Sequence, residues 1–496
     1  MQVTLLQLIT IHCLVVIEYL QNISIAFAAS YIMGGISAAP EEFSLAAAAY
    51  ASTAIFMVVQ HQFWVERLGY RRFVRYSHII YALGACLCAL SNTPGEFIFA
   101  RVIQGLGGAT FFTAARLLVN HFCMGKERIL GIRFFASGLL LGSSLAPLLG
   151  AWLVSNWGWQ SLFWAMAPIL AVSLTLCELT LPGKLDKSET RSSAHLGGLL
   201  CLVAGAIAIQ YAQERSQYDL FSQPLHLWII GLLGVAGVLA FIRIEWHRSQ
   251  PLIAYQSLMN TRFAVGMGLY FLLFVVANAN NYILPVFIEK GLGFDVPSAG
   301  WIISVTSLVG VPIMFFQTSA LARFLPSLRV MLIATFGLLV LFAIGLSQVS
   351  EQGNLGALTL PLLAFSAFTS LGLGYAAQSS FSAVDPTAFS HAYQTKNVIR
   401  ELANSGGISM ATMVLQSRST VHYARLTEQV NPYNPWYQPA LDQLQQVLGS
   451  QGAAIAKLGA ILSQQATFMA CIDYFRLTVL IALAAMAMLW FQRVLK

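Results

Sequence analysis

Charged residues are scarce in this sequence. They make up 9% of the 496 residues, against about 25% in a typical soluble domain. A chain so poor in charge cannot cover a surface that faces water, so most of its surroundings must be lipid. The apolar runs are about 20 residues long, which fits helices, whereas a membrane barrel would show alternating segments of roughly 10 residues. We therefore predict an all-α polytopic membrane protein.

Signatures of catalysis and of cofactor binding are also missing. The sequence has no Walker loop, no zinc-binding helix pair, no paired catalytic carboxylates and no elbow serine. Its seven cysteines are odd in number and lack metal-ligand spacing, so we interpret them as packing residues. We expect no enzyme activity, no metal and no cofactor. Without an ATP site, any movement of solutes across the membrane would have to be driven by an ion gradient or by the solute's own gradient.

The net charge of +7 comes without the Lys/Arg-rich block that is typical of nucleic-acid binding. Of the 27 basic residues, twenty fall on one side of the predicted spans, six on the other, and Arg101 lies within a span. Lys396 and Arg400 fall among the twenty, as residues of a loop. Because cytoplasmic loops of membrane proteins carry such an excess, the bias predicts that both termini are cytoplasmic.

Fourteen apolar runs are long enough to cross a membrane as helices. The longest stretch between spans, 416–472, has apolar residues at helical spacing and predicts amphipathic helices at the outer surface. The predicted spans cover 5–30, 43–63, 76–94, 97–118, 131–154, 161–181, 196–213, 226–244, 262–286, 298–319, 329–348, 355–377, 396–415 and 473–492.

Two spans hold polar residues that are costly to bury in lipid. Glu18 lies in the first span, and a carboxyl at that depth can bind and release a proton as its surroundings change. Gln21 and Asn22 extend a polar stripe beside it. In the fourth span Arg101 and Gln104 lie one turn apart, and the arginine should face the bundle interior. In the alternative interpretation Glu18 pairs with another helix and Arg101 binds carbonyls, both as structural groups.

Three further segments carry polar or small residues in a pattern. In the loop after the second span, an acid next to bases and a glycine could form and break charge contacts between two helix ends. Anchoring at the cytoplasmic face is the alternative. The gating-loop residues are Glu66, Arg67, Gly69, Arg71 and Arg72. The fifth span should be a kinked, closely packed helix because it holds Gly138, Gly142, Pro147 and Gly150. The ninth span has a polar cluster of Asn278, Asn280, Asn281 and Tyr282.

In their order along the chain, these segments resemble the major facilitator superfamily, specifically its branch of fourteen-span drug:proton antiporters. The run Arg101–Ala109 is similar to the fourth-span motif of that family, and the loop at 62–72 to its gating loop, with Glu66 in place of an aspartate. The fifth span resembles the antiporter motif. Arg400–Gly407 resembles the start of span thirteen, and Glu18 stands where the branch has an aspartate. The resemblance covers nearly the whole chain.

The resemblance implies a major facilitator fold, with two six-helix bundles around a central cavity and two extra spans. The bundles would comprise residues 1–181 and 245–496. A cytoplasmic linker at 182–195 and the inserted spans at 196–244 would lie between them.

The resemblance also implies proton-coupled multidrug efflux, the export of amphipathic small molecules across the cell (inner) membrane by alternating access. We expect Glu18 to carry the proton and Arg101 to respond to its charge. Since Arg101 is the one cation predicted to be securely buried, a polyanionic cargo is disfavoured. The expected cavity residues are Gln21, Asn22, Gln104, Asn278, Asn281 and Tyr282.

Two other functions are compatible with the same spans. The protein could export a single metabolite such as a siderophore, or it could be a receptor or assembly partner that transports nothing. For the transporter we expect a monomeric transport unit whose partners are its small-molecule substrate, protons and the lipid membrane. Because some members of the branch work with a periplasmic adaptor protein, an adaptor is a candidate partner here.

Overall fold

The computed structural model describes residues 3–125, 127–183, 192–220, 223–319, 326–351 and 353–494. These residues form helices and connecting turns, and none of them is in a strand. The α-helices are α1 (Leu5–Phe27), α2 (Ala29–Gly35), α3 (Pro40–Val59), α4 (His61–Leu68), α5 (Tyr70–Leu90), α6 (Pro94–Phe122), α7 (Glu127–Trp157), α8 (Ser161–Trp164), α9 (Met166–Thr180), α10 (Leu196–Asp219), α11 (Pro224–Trp246), α12 (Thr261–Val286), α13 (Val296–Leu308), α14 (Gly310–Gln317), α15 (Leu328–Ser347), α16 (Leu355–Phe381), α17 (Phe389–Glu428), α18 (Tyr437–Leu448) and α19 (Gln451–Phe491).

Within the described residues, thirteen helical stretches are long and apolar enough to cross a membrane. The pairs α8–α9 and α13–α14 each make one interrupted stretch of this kind. The predicted span 396–415 lies inside α17, which at 40 residues is long enough to cross but too polar to be counted among the thirteen. The prediction of an all-α protein with many membrane spans is therefore confirmed. Counting α17 as a further span gives the predicted total of fourteen.

The region predicted as a loop at 62–72 is mostly helical, so that prediction was wrong. The helices α4 and α5 are separated by one residue, Gly69, whose φ of +77° and ψ of 155° suit glycine and strain other residues. Glu66 and Arg67 consequently belong to α4, while Arg71 belongs to the first turn of α5. The glycine marks the change of direction correctly, but the charged residues stand on helices.

The segment 416–472 does not form a separate layer of surface helices. Instead α17 continues to Glu428 and α19 starts at Gln451, so most of this segment prolongs the helices on either side of it. The short α18 packs against α19. An ion pair between Arg418 Nε and Asp473 Oδ2, 2.6 Å apart, joins the extended helices.

For the packing we call α1–α9 the first half of the molecule and α12–α19 the second half. The halves meet along two seams. On one, α7 contacts α13, where the Leu148 amide donates to Ser304 Oγ over 2.9 Å. On the other, α3 contacts α17, where the Gln394 side chain donates to the carbonyls of Val58 and Val59. A cavity between the halves is therefore bounded by contacts on both sides.

Two segments connect the halves in sequence: the predicted linker and the inserted helices α10 and α11. Of the predicted linker 182–195, residues 184–191 lie outside the described part of the chain. The inserted helices α10 and α11 pack against each other, and α10 also packs against both α3 and α17. Ser405 on α17 donates to Gln210 Oε1 on α10, so the inserted pair is joined to the second half by polar contacts.

Candidate functional site

A buried cluster of three charged side chains joins the two halves near the middle of the bundle. Glu18 on α1 and Arg400 on α17 are 2% and 1% exposed. Arg400 Nη2 donates to Glu18 Oε1 and, over 2.5 Å, to Glu401 Oε1. The second oxygen of Glu18 accepts a hydrogen bond of 3.0 Å from the Phe112 amide on α6. The cluster is thus a carboxylate–guanidinium–carboxylate arrangement in which both oxygens of Glu18 have donors.

Aromatic rings surround the guanidinium of Arg400. Its central carbon lies 4.2 Å from the centre of the Phe112 ring and 5.9 Å from that of Tyr19. Ring faces attract cations, and they exclude water from the charges they cover. With water excluded, the attraction between Arg400 and its carboxylates is only weakly screened, and removing either partner becomes costly.

A cavity of about 100 Å³ lies next to this cluster. Glu18 and Arg400 form part of its wall, and the side chains opposite come from α7, α12, α13 and α16. Its polar lining includes four amides and five Ser/Thr hydroxyls, and Asn278 Nδ2 donates to Asn404 Oδ1 over 2.7 Å. The amides that line it are Asn22, Asn278, Asn281 and Asn404.

The remaining predicted cavity residues lie elsewhere. Gln104 bonds to Arg101, and Tyr282 lines a small separate pocket between α1, α2 and α12. Gln21 is 1% exposed and is absent from the lining of the central cavity. Three of the six predicted residues, Asn22, Asn278 and Asn281, are therefore together at the central cavity.

Arg101 is buried as predicted from the cost of exposing it to lipid, but its contacts differ from the expected ones. It donates to Gln104 Oε1 over 2.6 Å, and its guanidinium lies 4.2 Å from the centre of the Tyr50 ring. Among the described residues, the cation paired with Glu18 is Arg400 and not Arg101. Next to Arg101 in sequence, Gly105 and Gly108 lie against α3, where a Cβ at Gly105 would be 2.1 Å from Thr53 Oγ1.

Near the predicted gating loop, Glu66 contacts the end of the linker. Both the amide and the hydroxyl of Ser192 donate to Glu66 Oε2 over 2.8 Å. Arg67 donates to the Ser192 carbonyl, and Arg71 donates to the Leu181 carbonyl over 2.8 Å. Arg72 is exposed. The acid and bases of this segment thus hold the chain on both sides of the linker.

The predicted antiporter-motif helix is α7, and its small residues face α1. A Cβ at Gly138 would be 2.7 Å from the His12 carbonyl oxygen, and one at Gly142 would be 3.1 Å from the Val16 carbonyl oxygen. Gly150 has looser contacts with the far end of α1, and Pro147 faces Gly300 of the second half. The helix is therefore packed closely on one face against α1 and on another against α13.

A second and larger cavity, of about 520 Å³, lies between the halves on the side of the bundle where α1 begins. It shares Leu139, Leu140 and Leu373 with the wall of the central cavity. Arg116 of α6 and Lys396 of α17 are the basic residues among those that line it. Lys396 is only 5% exposed.

The sequence interpretation counted Lys396 and Arg400 as cytoplasmic loop residues although its span 396–415 contained both, and the loop assignment was wrong. The helix α17 begins at Phe389, so Lys396 lies about two turns and Arg400 about three turns inside it, and both are buried. The expectation that Arg101 alone is securely buried fails for the same reason. Glu401 and Asn404, which belong to the same stretch of α17, were also missed. Charges recurring at 396, 400 and 401 just before Gly406 and Gly407 were the available signal.

Comparison with known proteins identifies the family. The Major Facilitator Superfamily sequence model matches residues 11–403. The chain therefore belongs to the major facilitator superfamily, and it is a multi-pass membrane transporter of small molecules.

Individual relatives have low sequence identity to this chain, but the alignments cover most of both chains. The chain is 24% identical over 442 residues to "Multidrug export protein EmrB" of Escherichia coli K12, covering 86% of this chain and 83% of that protein. It is 26% identical over 357 residues to "Multidrug resistance protein 3" of Bacillus subtilis 168, covering 70% and 67%. The structure of a bacterial homologue of the lysosomal transporter Spinster has a TM-score of 0.58 at 14% identity, covering 97% of this chain and 95% of that one. The last comparison supports the fold alone.

Proposed function

We propose that this protein exports amphipathic small molecules across the cytoplasmic membrane in exchange for protons, with both termini in the cytoplasm. The observation that carries the proposal is the ion pair between Glu18 and Arg400. It connects α1 of the first half with α17 of the second half, and it forms part of the wall of the central cavity. A proton arriving at Glu18 would therefore act on a contact between the halves and on the cavity at once.

The free energy of such a pair is large enough to bias a conformational equilibrium. Losing one partner of a buried, hydrogen-bonded pair costs about 3–5 kcal/mol. A proton on Glu18 removes its negative charge while Arg400 keeps the partner Glu401, so the halves lose a contact without leaving the cation alone. A change of about 3 kcal/mol alters a population ratio by roughly a hundredfold. Deprotonated and protonated Glu18 would then favour different arrangements of the halves.

Transport into proteoliposomes tests the proton role of Glu18. With an imposed pH gradient, we expect Glu18→Gln to abolish uptake of a fluorescent amphiphile, because the amide cannot exchange a proton. The matched control is Glu428→Gln, the same change at an exposed glutamate near the end of α17, which should leave uptake unchanged. Undiminished pH-driven uptake by Glu18→Gln would refute the proton role. Failure of the unmodified protein to move any substrate would favour a receptor.

We also propose that the projecting ends of α17 and α19, with α18 between them, contact an adaptor protein. In this region Tyr433, Trp436 and Val447 are 95%, 80% and 82% exposed. Large apolar side chains left exposed in this way are typical of interaction surfaces. Replacing 431–448 by a short Gly/Ser linker should leave proteoliposome transport intact but lower drug resistance in cells. Unchanged resistance would contradict the adaptor.

A further inference from the structure

The larger cavity has walls of two kinds. Most of its lining consists of apolar and aromatic side chains from both halves, with a few amides and hydroxyls such as those of Gln317, Ser370 and Gln378. At about 520 Å³ it falls within the size range of small-molecule sites, roughly 300–1,000 Å³. Its charged lining is entirely basic, because no Asp or Glu occurs among the described residues that line it.

Lys396 is the deepest of these basic groups. Its ammonium lies 4.5 Å from the centre of the Tyr270 ring, 4.6 Å from that of Tyr393 and 5.4 Å from that of Phe112. In the described part of the chain, no carboxylate comes within 4.0 Å of it. The nearby acids Glu18 and Glu401 are already paired with Arg400, one helical turn further along α17. Lys396 is therefore a buried basic side chain that has ring faces around it and, among the described residues, no carboxylate partner.

Two arginines add to the basic character of this cavity. Arg116 also lines it, donates to Asn120 Oδ1 over 3.1 Å and lies 5.8 Å from the Tyr393 ring. Arg133 is held at the edge by hydrogen bonds to Thr318, a lining residue. A cleft lined by charges of one sign between apolar walls raises the local concentration of oppositely charged ligands.

We propose that this cavity binds an amphipathic organic anion. A single carboxylate, sulfonate or phenolate group would contact Lys396, and an aromatic or acyl body would pack against the apolar wall. An anionic group bound here would pair with the ammonium of Lys396, which has no carboxylate partner among the described residues. The inference narrows the substrate class of the proposed exporter and rests on that proposed function, although binding itself requires neither a gradient nor proton coupling.

Equilibrium binding of a matched pair of probes tests the charge requirement. The probes are radiolabelled 2-naphthoate and its uncharged analogue 2-naphthamide, and binding is measured by scintillation proximity on the full chain in phosphatidylcholine nanodiscs. For the unmodified protein we expect naphthoate to bind at least about tenfold more tightly than naphthamide, as for a charge-assisted hydrogen bond. Equal affinity for the two probes would overturn the proposal without any substitution being made.

Three variants assign the effect to Lys396. Lys396→Gln should raise the Kd of naphthoate about tenfold and leave that of naphthamide within about twofold. Lys396→Arg, which keeps the charge, should retain most of the affinity. The control is Lys457→Gln, the same change at an exposed lysine on α19, and should have no effect. Full naphthoate affinity in a monodisperse Lys396→Gln preparation would overturn the proposal.

The anion could be a lipid headgroup rather than a free molecule, and titration with phosphatidylglycerol separates the two. Displacement of naphthoate in the unmodified protein but not in Lys396→Gln supports the anion site and assigns a lipid to it. No displacement supports a free anion. The proposed function fails separately: naphthoate binding without pH-driven uptake leaves this inference standing. Conversely, pH-driven uptake of cationic and neutral amphiphiles together with equal probe affinities would refute only the anion site.

Discussion

The most informative substitution is Arg400→Gln, because Arg400 is the cation shared by two carboxylates. Arg400 is 1% exposed, and its guanidinium donates to both Glu18 and Glu401. The variant would leave two negative charges close together and away from water. Removing one partner of a buried pair costs about 3–5 kcal/mol. The glutamine amide can still donate to one carboxylate, which returns about 1 kcal/mol, so we expect a net loss of about 3 kcal/mol.

That loss can be measured as a melting temperature. Unfolding entropy is about 2.1 cal/mol/K per residue in soluble proteins, which gives about 1 kcal/mol/K for a chain of this length. A loss of about 3 kcal/mol then lowers the melting temperature by about 3 °C, and by more if helices persist in detergent. Fluorescence-detected size-exclusion chromatography after heating gives the midpoint. Arg425→Gln, at an exposed arginine of the same helix, is the control and should shift it by less than about 1 °C.

A second variant separates the charge effect from a loss of packing. The double substitution Glu18→Gln with Arg400→Gln removes one of the two orphaned charges, so it should be more stable than Arg400→Gln alone. A purely steric role of the arginine predicts instead that the double variant is no better than the single one. A midpoint for Arg400→Gln within about 1 °C of the unmodified protein would refute the energetic argument for the cluster.

Three further predictions concern backbone and surface contacts. Gly69→Ala should cost about 1–3 kcal/mol and slow transport, because its φ of +77° is strained for alanine; thermal midpoints and uptake rates measure this. Gly138→Ala should lower both stability and uptake, because the new Cβ would lie 2.7 Å from the His12 carbonyl oxygen and force α1 to move. Asp473→Asn should change the midpoint little, since its ion pair with Arg418 is partly exposed, such pairs contribute about 1 kcal/mol or less, and the asparagine oxygen can still accept from Arg418 or His422.

Each of these predictions has a control or an opposing outcome. Gly268→Ala is the control for Gly138→Ala, because a Cβ added at Gly268 would meet no atom of a neighbouring helix within 4 Å, and it should be neutral. A neutral Gly138→Ala would mean that α1 and α7 are less closely packed than described. Wild-type behaviour of Gly69→Ala would contradict the glycine requirement between α4 and α5. A large loss for Asp473→Asn would mean that the extended helices depend on this pair.

The sequence predicted the helices well, because each apolar run of a membrane helix must satisfy its own backbone hydrogen bonds. It also indicated Glu18 and Arg101 as buried groups, since charges are costly in lipid. It placed a span at 396–415 within α17 but missed the buried, polar start of that helix, because hydropathy treats buried polar residues as if they faced water. Lys396 and Arg400 were consequently assigned to a loop, although the excess of basic residues on that side does not depend on these two.

The partner of Glu18 could not be predicted from spacing. Glu18 and Arg400 are 382 positions apart, and a helical period says which residues share a face only within one helix. The cation expected from the fourth span, Arg101, is satisfied by Gln104 one turn away. The same limit applies to Asn404, which meets Asn278 across the packing of α12 with α17. Pairs of this kind require the fold.

The inserted helix α10 has a consequence for how a lipid-soluble molecule reaches the interior. Because α10 packs against both α3 and α17, it covers from the outside the seam where those two helices meet. Ser409 of α17 donates a hydrogen bond to the Gln213 carbonyl of α10, and this bond joins α10 to the seam. In the part of the chain that the structure describes, the inserted pair does not cover the seam between α7 and α13–α14. A molecule dissolved in the bilayer would thus meet one covered and one uncovered seam, and the protein presents two unequal flanks to its membrane.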